Sequence, residues 1–261
     1  MLWGDVMRRA IWRVLAVAGA TGLIGWLARP TPRTAPHTAL RYYLALPHGW
    51  NPNRSWPILV VVDGANHGHF LWNFLRFRWA RRDLPFILIA PLVVSNGGHP
   101  DPRAYPYAPA VWDQVATQGA VPFDATGVLA IADNVRHRYH GEDTFWISGW
   151  SAGGHLSWQL ILTHPERLAG AVLANANYAG RGVTTISTAP ERIHLPINAF
   201  QGDRDPLFAV LNQQWATAAA QARAHGYTNL SHAIVTGGKH SPFPTQVFAY
   251  VATYLPRETS A

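Results

Sequence analysis

The sequence predicts an α/β fold in which a mostly parallel sheet is covered by helices on both faces. Residues 57–62 form a continuous apolar run, Pro-Ile-Leu-Val-Val-Val, which is typical of a strand buried on both faces. Similar short apolar runs alternate with helical patterns from residue 40 onward, as a parallel sheet requires. With 261 residues and 48% hydrophobic content, the chain is long enough for one large domain with a full core.

The individual elements follow from the period of the apolar residues and from the turn residues between them. Strands are predicted at residues 40–46, 57–62, 86–94, 144–148, 169–174, 196–201 and 231–235. Helices are predicted at residues 69–82, 124–139, 152–163, 207–225 and 242–254, with Asp124 as the N-cap of the second. Residues 95–111, which are rich in Gly, Pro, Asp and Tyr, and residues 175–194 are predicted to be irregular.

The N-terminal residues have the pattern of an export segment. Arg8, Arg9 and Arg13 precede an uncharged run, residues 14–28, that is rich in Ala, Gly, Leu and Val. A positive region followed by an apolar stretch of this length predicts a signal peptide or a membrane anchor, and hence an exported, periplasmic or extracellular protein. A core helix of the domain is the remaining interpretation. The predicted division is a signal peptide or anchor at residues 1–28, a Pro/Thr-rich linker at 29–38 and the main domain at 39–261.

The charge distribution argues against a nucleic-acid partner. The formal net charge is +7, but residues 1–38 carry five arginines and one aspartate, which leaves +3 for the rest. Beyond residues 76–82 there is no long basic run. Cysteine is absent, so disulfides are excluded. No cofactor is expected. No metal ion is expected at Asp63, His67 and His69, because this set lacks the helical spacing of metal ligands.

A glycine-flanked serine stands between a predicted strand and a predicted helix. The pattern Gly149-x-Ser151-x-Gly153 follows the strand at 144–148 and opens the helix at 152–163. A serine becomes a useful nucleophile when it projects from such a tight turn, and glycines two residues away avoid collisions there. The helix supplies free N–H groups where an oxyanion would form. The turn therefore predicts a nucleophile at Ser151.

Two further loops carry the residues that a serine nucleophile needs. Gly202-Asp203-Arg204-Asp205 follows the strand at 196–201, and Gly237-Gly238-Lys239-His240 follows the strand at 231–235. The carboxyl ends of parallel strands meet at one edge of a sheet, where sites gather. The chain order of serine, acid and histidine is that of the α/β-hydrolases among serine-triad folds. The residues alone leave Asp203 and Asp205 both open as the acid. Three other histidines, His155, His164 and His232, lie within helix or strand patterns and are expected to be structural.

These motifs resemble those of serine esterases of the α/β-hydrolase superfamily, in particular the polyhydroxyalkanoate-depolymerase, feruloyl-esterase and polyester-hydrolase branches. The resemblance extends over residues 40–255 in element order and makes 39–261 an expected catalytic domain of the α/β-hydrolase fold. It implies Ser151 as nucleophile, His240 as base and Asp205 as acid, because the family places the acid three residues after the glycine. No long insertion separates the serine helix from the acid, so no large lid domain is expected.

The resemblance also implies an oxyanion hole made of two backbone N–H groups. One belongs to Ala152, directly after the nucleophile, and the other to Ala65 in the loop after the strand at 57–62. This sequence has Asp63-Gly64 where related hydrolases commonly have His-Gly, so Asn66 is an alternative second donor.

Aromatic residues predict where the substrate lies. Asn66, Trp150 and Tyr178 are candidate substrate-binding residues, although Trp150 is expected to point back into the sheet. Trp72, Tyr105, Tyr107 and Trp112 are further candidates for the walls of a cleft. We expect a serine hydrolase that cleaves small or polymeric carboxylic esters, such as aryl esters or polyesters, through an acyl-enzyme. An exported serine peptidase or amidase of the same fold, and a non-enzymatic binding protein, are the alternatives.

Overall fold

The strands form one eight-stranded sheet in the order β1-β2-β4-β3-β5-β6-β7-β8. The computed structural model describes residues 30–65, 70–96 and 102–256, so the predicted export segment at 1–28 lies outside the described residues. The strands are β1 (Arg33–Thr34), β2 (Arg41–Ala45), β3 (Trp56–Val62), β4 (Ile87–Pro91), β5 (Gly141–Gly149), β6 (Leu168–Ala174), β7 (Ile197–Gly202) and β8 (Leu230–Val235).

The sheet is mostly parallel, as the sequence predicts. Strands β3 to β8 pair in parallel with one another, while β2 pairs antiparallel with both β1 and β4. All seven residues of β3 are buried, because the sheet is covered where this strand runs through its centre. The two-residue strand β1 lies within the predicted linker and adds to the edge of the sheet.

The helices are α1 (Phe70–Arg81), α2 (Pro109–Gln118), α3 (Ala120–Tyr139), α4 (Gly153–Thr163), α5 (Phe208–Ala224) and α6 (Pro244–Ala252). Five of them form two packed groups, and α5 packs against β7. Helix α1 packs against α6, whereas α3 packs against α2 and α4. Among the described residues, the connection from β6 to β7 holds only a 3₁₀ turn, Pro190–Ile193, and no lid domain. The predicted α/β-hydrolase fold without a large lid is confirmed.

The structure corrects the prediction between residues 95 and 124. Helix α2 begins at Pro109 within the region predicted to be irregular, and only Val115 of this helix is buried, so its apolar pattern is weak. Gly119, at a φ of 86°, then turns the chain into α3. Asp124 is not an N-cap, because α3 begins at Ala120 and Asp124 lies inside it.

No single helix in the described part of the chain is long and apolar enough to cross a membrane. Helices α2 and α3 meet that test only as a pair, and the pair is bent by 109°. The described residues also contain no group of three or more His, Cys, Asp or Glu side chains that is suited to hold a metal ion.

Candidate active site

Ser151 occupies a strained turn between β5 and α4. Its φ is +50°, a value that L-residues seldom adopt, and its side chain is buried. A Cβ atom on Gly149 would lie 2.3 Å from Oγ of Ser157, and one on Gly153 would lie 2.6 Å from the carbonyl oxygen of Asp63. Any side chain at these two positions would collide with neighbouring atoms, so both must be glycine. The sequence pattern predicts the same reason for the two glycines.

Backbone hydrogen bonds fix the Ser151 turn to the neighbouring strands. The N–H of Ser151 donates to the carbonyl oxygen of Ala174 at 3.2 Å, and the N–H of Trp150 donates to that of Val62 at 3.1 Å. The carbonyl oxygen of Ser151 accepts from the N–H of Asn177 at 2.9 Å. The N–H of Ala152 donates to no other described residue, so it is free to face a ligand at the beginning of α4.

His240 and Asp205 form a close pair at the same edge of the sheet. Nδ1 of His240 lies 2.6 Å from Oδ2 of Asp205, whose side chain is buried. The other carboxylate oxygen of Asp205 accepts from the N–H of Leu207 at 2.8 Å. Asp203 instead accepts from the N–H of Gly237 at 2.7 Å, so it ties the acid loop (residues 203–206) to the histidine loop (residues 236–241).

Ser151 and His240 both lie in the described part of the chain, and the Ser151 hydroxyl makes no hydrogen bond to His240. Such contacts are often long in a free enzyme and shorten when a substrate binds. The ring of Trp150 lies beside the imidazole of His240, with 5.6 Å between the centroids. Trp150 thus lies at the site and does not point back into the sheet as the sequence suggested.

Asn175 connects the three loops, and sequence reasoning missed it. Its fully buried side chain donates to the carbonyl oxygens of Lys239 and Ser241, at 3.3 and 2.9 Å, on either side of His240. Its Oδ1 accepts from the N–H of Gly202 at 2.9 Å, directly before the acid loop. Its φ of +44° is one that asparagine tolerates better than most residues. The signal in the sequence that could have identified Asn175 is an asparagine directly after a buried strand, β6.

Asn96 is a second buried asparagine that contacts a loop of the site. This loop, residues 63–65, is called here the oxyanion loop. The fully buried side chain of Asn96 donates through Nδ2 to the carbonyl oxygen of Gly64 at 2.7 Å. The hydroxyl of Tyr105 donates to Oδ1 of Asn96 at 3.2 Å, which fixes the orientation of the amide. Gly64 itself lies close to the nucleophile, since a Cβ atom there would be 3.1 Å from Cβ of Ser151. The N–H of Ala65 has no partner in the described part of the chain.

Three buried titratable groups lie near these loops. Burial raises the pKa of Asp63 to about 7, although its Oδ1 accepts from the N–H of Gly64. Burial likewise raises the pKa of Asp124 to about 7, against hydrogen bonds from Ser95 and from the backbone of Val94. Burial and then the charge of Arg181 lower the pKa of His155 to about 4. His155 therefore stays neutral at physiological pH.

The histidines expected to be structural have different surroundings. Nδ1 of His164 lies 3.3 Å from a carboxylate oxygen of Glu166, and the ring of His232 lies 5.4 Å from that of Trp215. His155 differs, because its buried Nδ1 has no hydrogen bond to the described residues. None of the three belongs to the His240–Asp205 pair.

Tyr178 lines a groove along α5, and none of Ser151, Asp205 and His240 is among the residues that line it. The groove has a volume of about 430 Å³ and is also lined by Gln213, Gln214, Thr217 and Gln221 on α5. The Tyr178 hydroxyl donates to the side chain of Gln221, and its ring packs against Trp158 with 5.5 Å between centroids. Asn66 lies outside the described residues.

The other aromatic candidates do not form one wall. Tyr105, Tyr107 and Trp112 pack against each other with centroids 5.4 to 6.2 Å apart. Tyr105 and Tyr107 also donate hydrogen bonds inward, to Asn96 and to the carbonyl oxygen of Leu92. Trp72 on α1 is 65% exposed and faces solvent. These aromatic residues therefore support the loops or face the solvent.

Comparisons with known proteins agree with this architecture. The esterase family model matches residues 34–261. No curated protein sequence matches the chain. The LpqC poly(3-hydroxybutyrate) depolymerase of Bordetella parapertussis has a similar structure, with a TM-score of 0.62 and 14% identity over 89% of this chain and 94% of that one. Poly(aspartic acid) hydrolase-1 of Sphingomonas sp. KT-1 gives a TM-score of 0.60 and 15% identity, over 87% of this chain and 98% of that one. An S-formylglutathione hydrolase of Agrobacterium tumefaciens gives a TM-score of 0.60 and 12% identity, over 86% of this chain and 92% of that one.

Proposed function

The chain belongs to the esterase family of α/β-hydrolases, and from that premise we propose that it hydrolyses carboxylic esters through a triad of Ser151, His240 and Asp205. One observation carries the proposal. Nδ1 of His240 is bound to buried Asp205, at the sheet edge where the strained turn presents Ser151. The second ring nitrogen, Nε2, is left to exchange a proton with the serine.

The reaction follows from the roles of these atoms. His240 removes the proton of the Ser151 hydroxyl while its oxygen attacks the ester carbonyl, and the alcohol leaves with that proton. His240 next activates a water molecule, which releases the acid from the acyl-enzyme. Asp205 keeps the imidazole in one tautomer and stabilises the imidazolium that forms in both steps.

Two backbone N–H groups are proposed to hold the negative oxygen of the tetrahedral intermediates. Those of Ala152 and Ala65 have no other partner among the described residues. Ala152 follows Ser151 directly, and Ala65 follows Gly64, whose backbone lies close to Ser151. Neutral donors that are fixed in advance stabilise the oxyanion without a cost of reorganisation, and one such donor typically contributes about 10²-fold to 10³-fold to kcat.

The aromatic ring at the site supports a substrate class. Trp150 beside His240 suits an aryl or other apolar group, such as that of an aryl ester or of a polyester chain. The depolymerase among the similar structures acts on poly(3-hydroxybutyrate), which agrees with a polymeric ester.

A panel of 4-nitrophenyl esters of increasing acyl length, with the matching 4-nitroanilides, tests the proposal. We expect hydrolysis of the esters in preference to the anilides, and a loss of at least about 10⁴-fold in Ser151→Ala. Ser55→Ala changes an exposed serine directly before β3; it is the control and should keep the full rate. Full activity in Ser151→Ala would refute the triad, and faster anilide cleavage would favour an amidase.

A further inference from the structure

Four exposed cationic residues lie on segments next to the sheet edge at which Ser151 lies. They are Arg76, Arg181, Arg204 and Lys239, called here the cationic rim, and all four are exposed. They stand on four different segments: α1, the loop after β6, the acid loop and the histidine loop. The proposed triad uses none of them.

Arg76 has the most closely defined position in the rim. Its Nη2 donates to Oγ of Ser241, the residue after His240, at 3.0 Å. Burial dominates the pKa of Asp63, and the charge of Arg76 opposes that effect, so Arg76 also acts on the oxyanion loop. The guanidinium therefore lies next to both the histidine loop and the oxyanion loop. Its other N–H groups are available for a ligand, because the side chain is exposed.

The other three cationic residues are next to a triad residue in the sequence or lie on a loop that contacts Ser151. Lys239 directly precedes His240, and the N–H of Arg204, next to Asp205, donates to the carbonyl oxygen of Gly238 at 2.8 Å. Arg181 lies on the loop whose Asn177 bonds to Ser151, and its charge acts on His155, one helical turn beyond the nucleophile.

Carboxylates on the same loops offset the charge of the rim only in part. Asp205 contributes one negative charge and is bound to His240, and burial raises the pKa of Asp63 to about 7, so Asp63 is neutral below that pH. The exposed carboxylate on the acid and histidine loops is that of Asp203, which accepts from the backbone of Gly237. A substrate that approaches Ser151 therefore meets a net positive potential, which concentrates anions at a site.

We propose that the preferred substrates are esters that carry a carboxylate, with that carboxylate at Arg76 and the ester carbonyl at Ser151. This inference rests on the proposed function and narrows its substrate class. A guanidinium suits a carboxylate because its planar N–H groups match the two oxygens. The remaining rim cations steer the anion toward the site from different directions.

A matched pair of esters tests this inference. Mono-4-nitrophenyl glutarate and 4-nitrophenyl pentanoate share a leaving group and an acyl length, and differ by one terminal carboxylate. We expect kcat/KM to favour the glutarate about tenfold at low salt. The advantage should shrink at about 0.5 M salt, because ions screen exposed charges.

Charge variants identify the residue responsible. Arg76→Gln should reduce the glutarate-to-pentanoate ratio about threefold to tenfold, and Arg204→Gln should reduce it less. Arg223→Gln removes an equal charge near the end of α5 and should leave both rates unchanged. A ratio of one or below, or a ratio that Arg76→Gln does not alter, would overturn the substrate class alone. Hydrolysis of neither ester would overturn the proposed function together with it.

Discussion

Asp63 is a carboxyl group buried at the start of the oxyanion loop, 2% exposed. Its Oδ1 accepts from the N–H of Gly64, while its Oδ2 has no hydrogen bond to the described residues. Burial disfavours the charged form and raises the pKa to about 7. Below that pH, the neutral Asp63 places no negative charge beside the proposed oxyanion hole.

The raised pKa of Asp63 makes the stability of the protein depend on pH. Between pH about 4 and about 7 the folded protein keeps a proton that the unfolded chain has released, so the free energy of unfolding falls as pH rises. Asp63→Asn removes this contribution. In urea denaturation across that window, we expect a slope shallower by up to about 1.4 kcal/mol per pH unit.

A second buried carboxyl group and a control variant show how much of the slope belongs to Asp63. Asp124 has a pKa raised in the same direction, so the slope of Asp63→Asn should be reduced and not abolished. Asp83→Asn removes an exposed carboxyl group after α1 and is the matched control. Parallel curves for the parent and Asp63→Asn would contradict the assignment.

At the scale of elements, the loop after β4 orients the loop after β3. The carbonyl of Gly64 and the N–H of Ala65 belong to one planar peptide group, in which they point in opposite directions. Because Asn96 donates to that carbonyl at 2.7 Å, it turns the N–H of Ala65 away from itself. Asn96 is therefore a positioning residue for the proposed oxyanion donor.

Asn96→Asp keeps the shape of the side chain but replaces the donor with an acceptor that repels the carbonyl of Gly64. We expect kcat to fall about tenfold to 100-fold with a smaller change in KM, because the lost interaction matters most in the transition state. Affinity for a boronic acid that mimics the tetrahedral intermediate should fall in parallel with kcat.

Asn198→Asp is the matched control for that measurement. Asn198 is also buried, but it lies near the start of β7 and bonds to Ser231, at the opposite edge of the sheet. A similar loss of kcat in both variants, or a loss of thermal stability alone in Asn96→Asp, would argue against positioning.

At the scale of the whole molecule, the order of the strands and helices was predictable because it depends on local apolar patterns. The runs at β3, β4 and β6 are buried along their whole length or nearly so, and such runs are visible without a structure. Helix α2 was missed because it buries only Val115. A helix with so weak an apolar stripe gives little signal.

The candidate site was predictable only in part, for a physical reason. Ser151, Asp205 and His240 lie in short motifs directly after strands, so local sequence suffices to propose them. Asn96 acts on a residue 32 positions away and Asn175 on one 64 positions away. Such contacts arise from the packing of loops, which no local pattern encodes. The orientation of the Trp150 ring depends on packing in the same way.

The central claim is that Ser151 is a nucleophile activated by His240. A fluorophosphonate probe reacts covalently with such a serine, and mass spectrometry of the digested protein locates the adduct. We predict one adduct, on Ser151, formed at least about 10³-fold more slowly in His240→Ala and at the parent rate in Ser55→Ala. An adduct on a different residue, or equal labelling of the parent and His240→Ala, would contradict the claim.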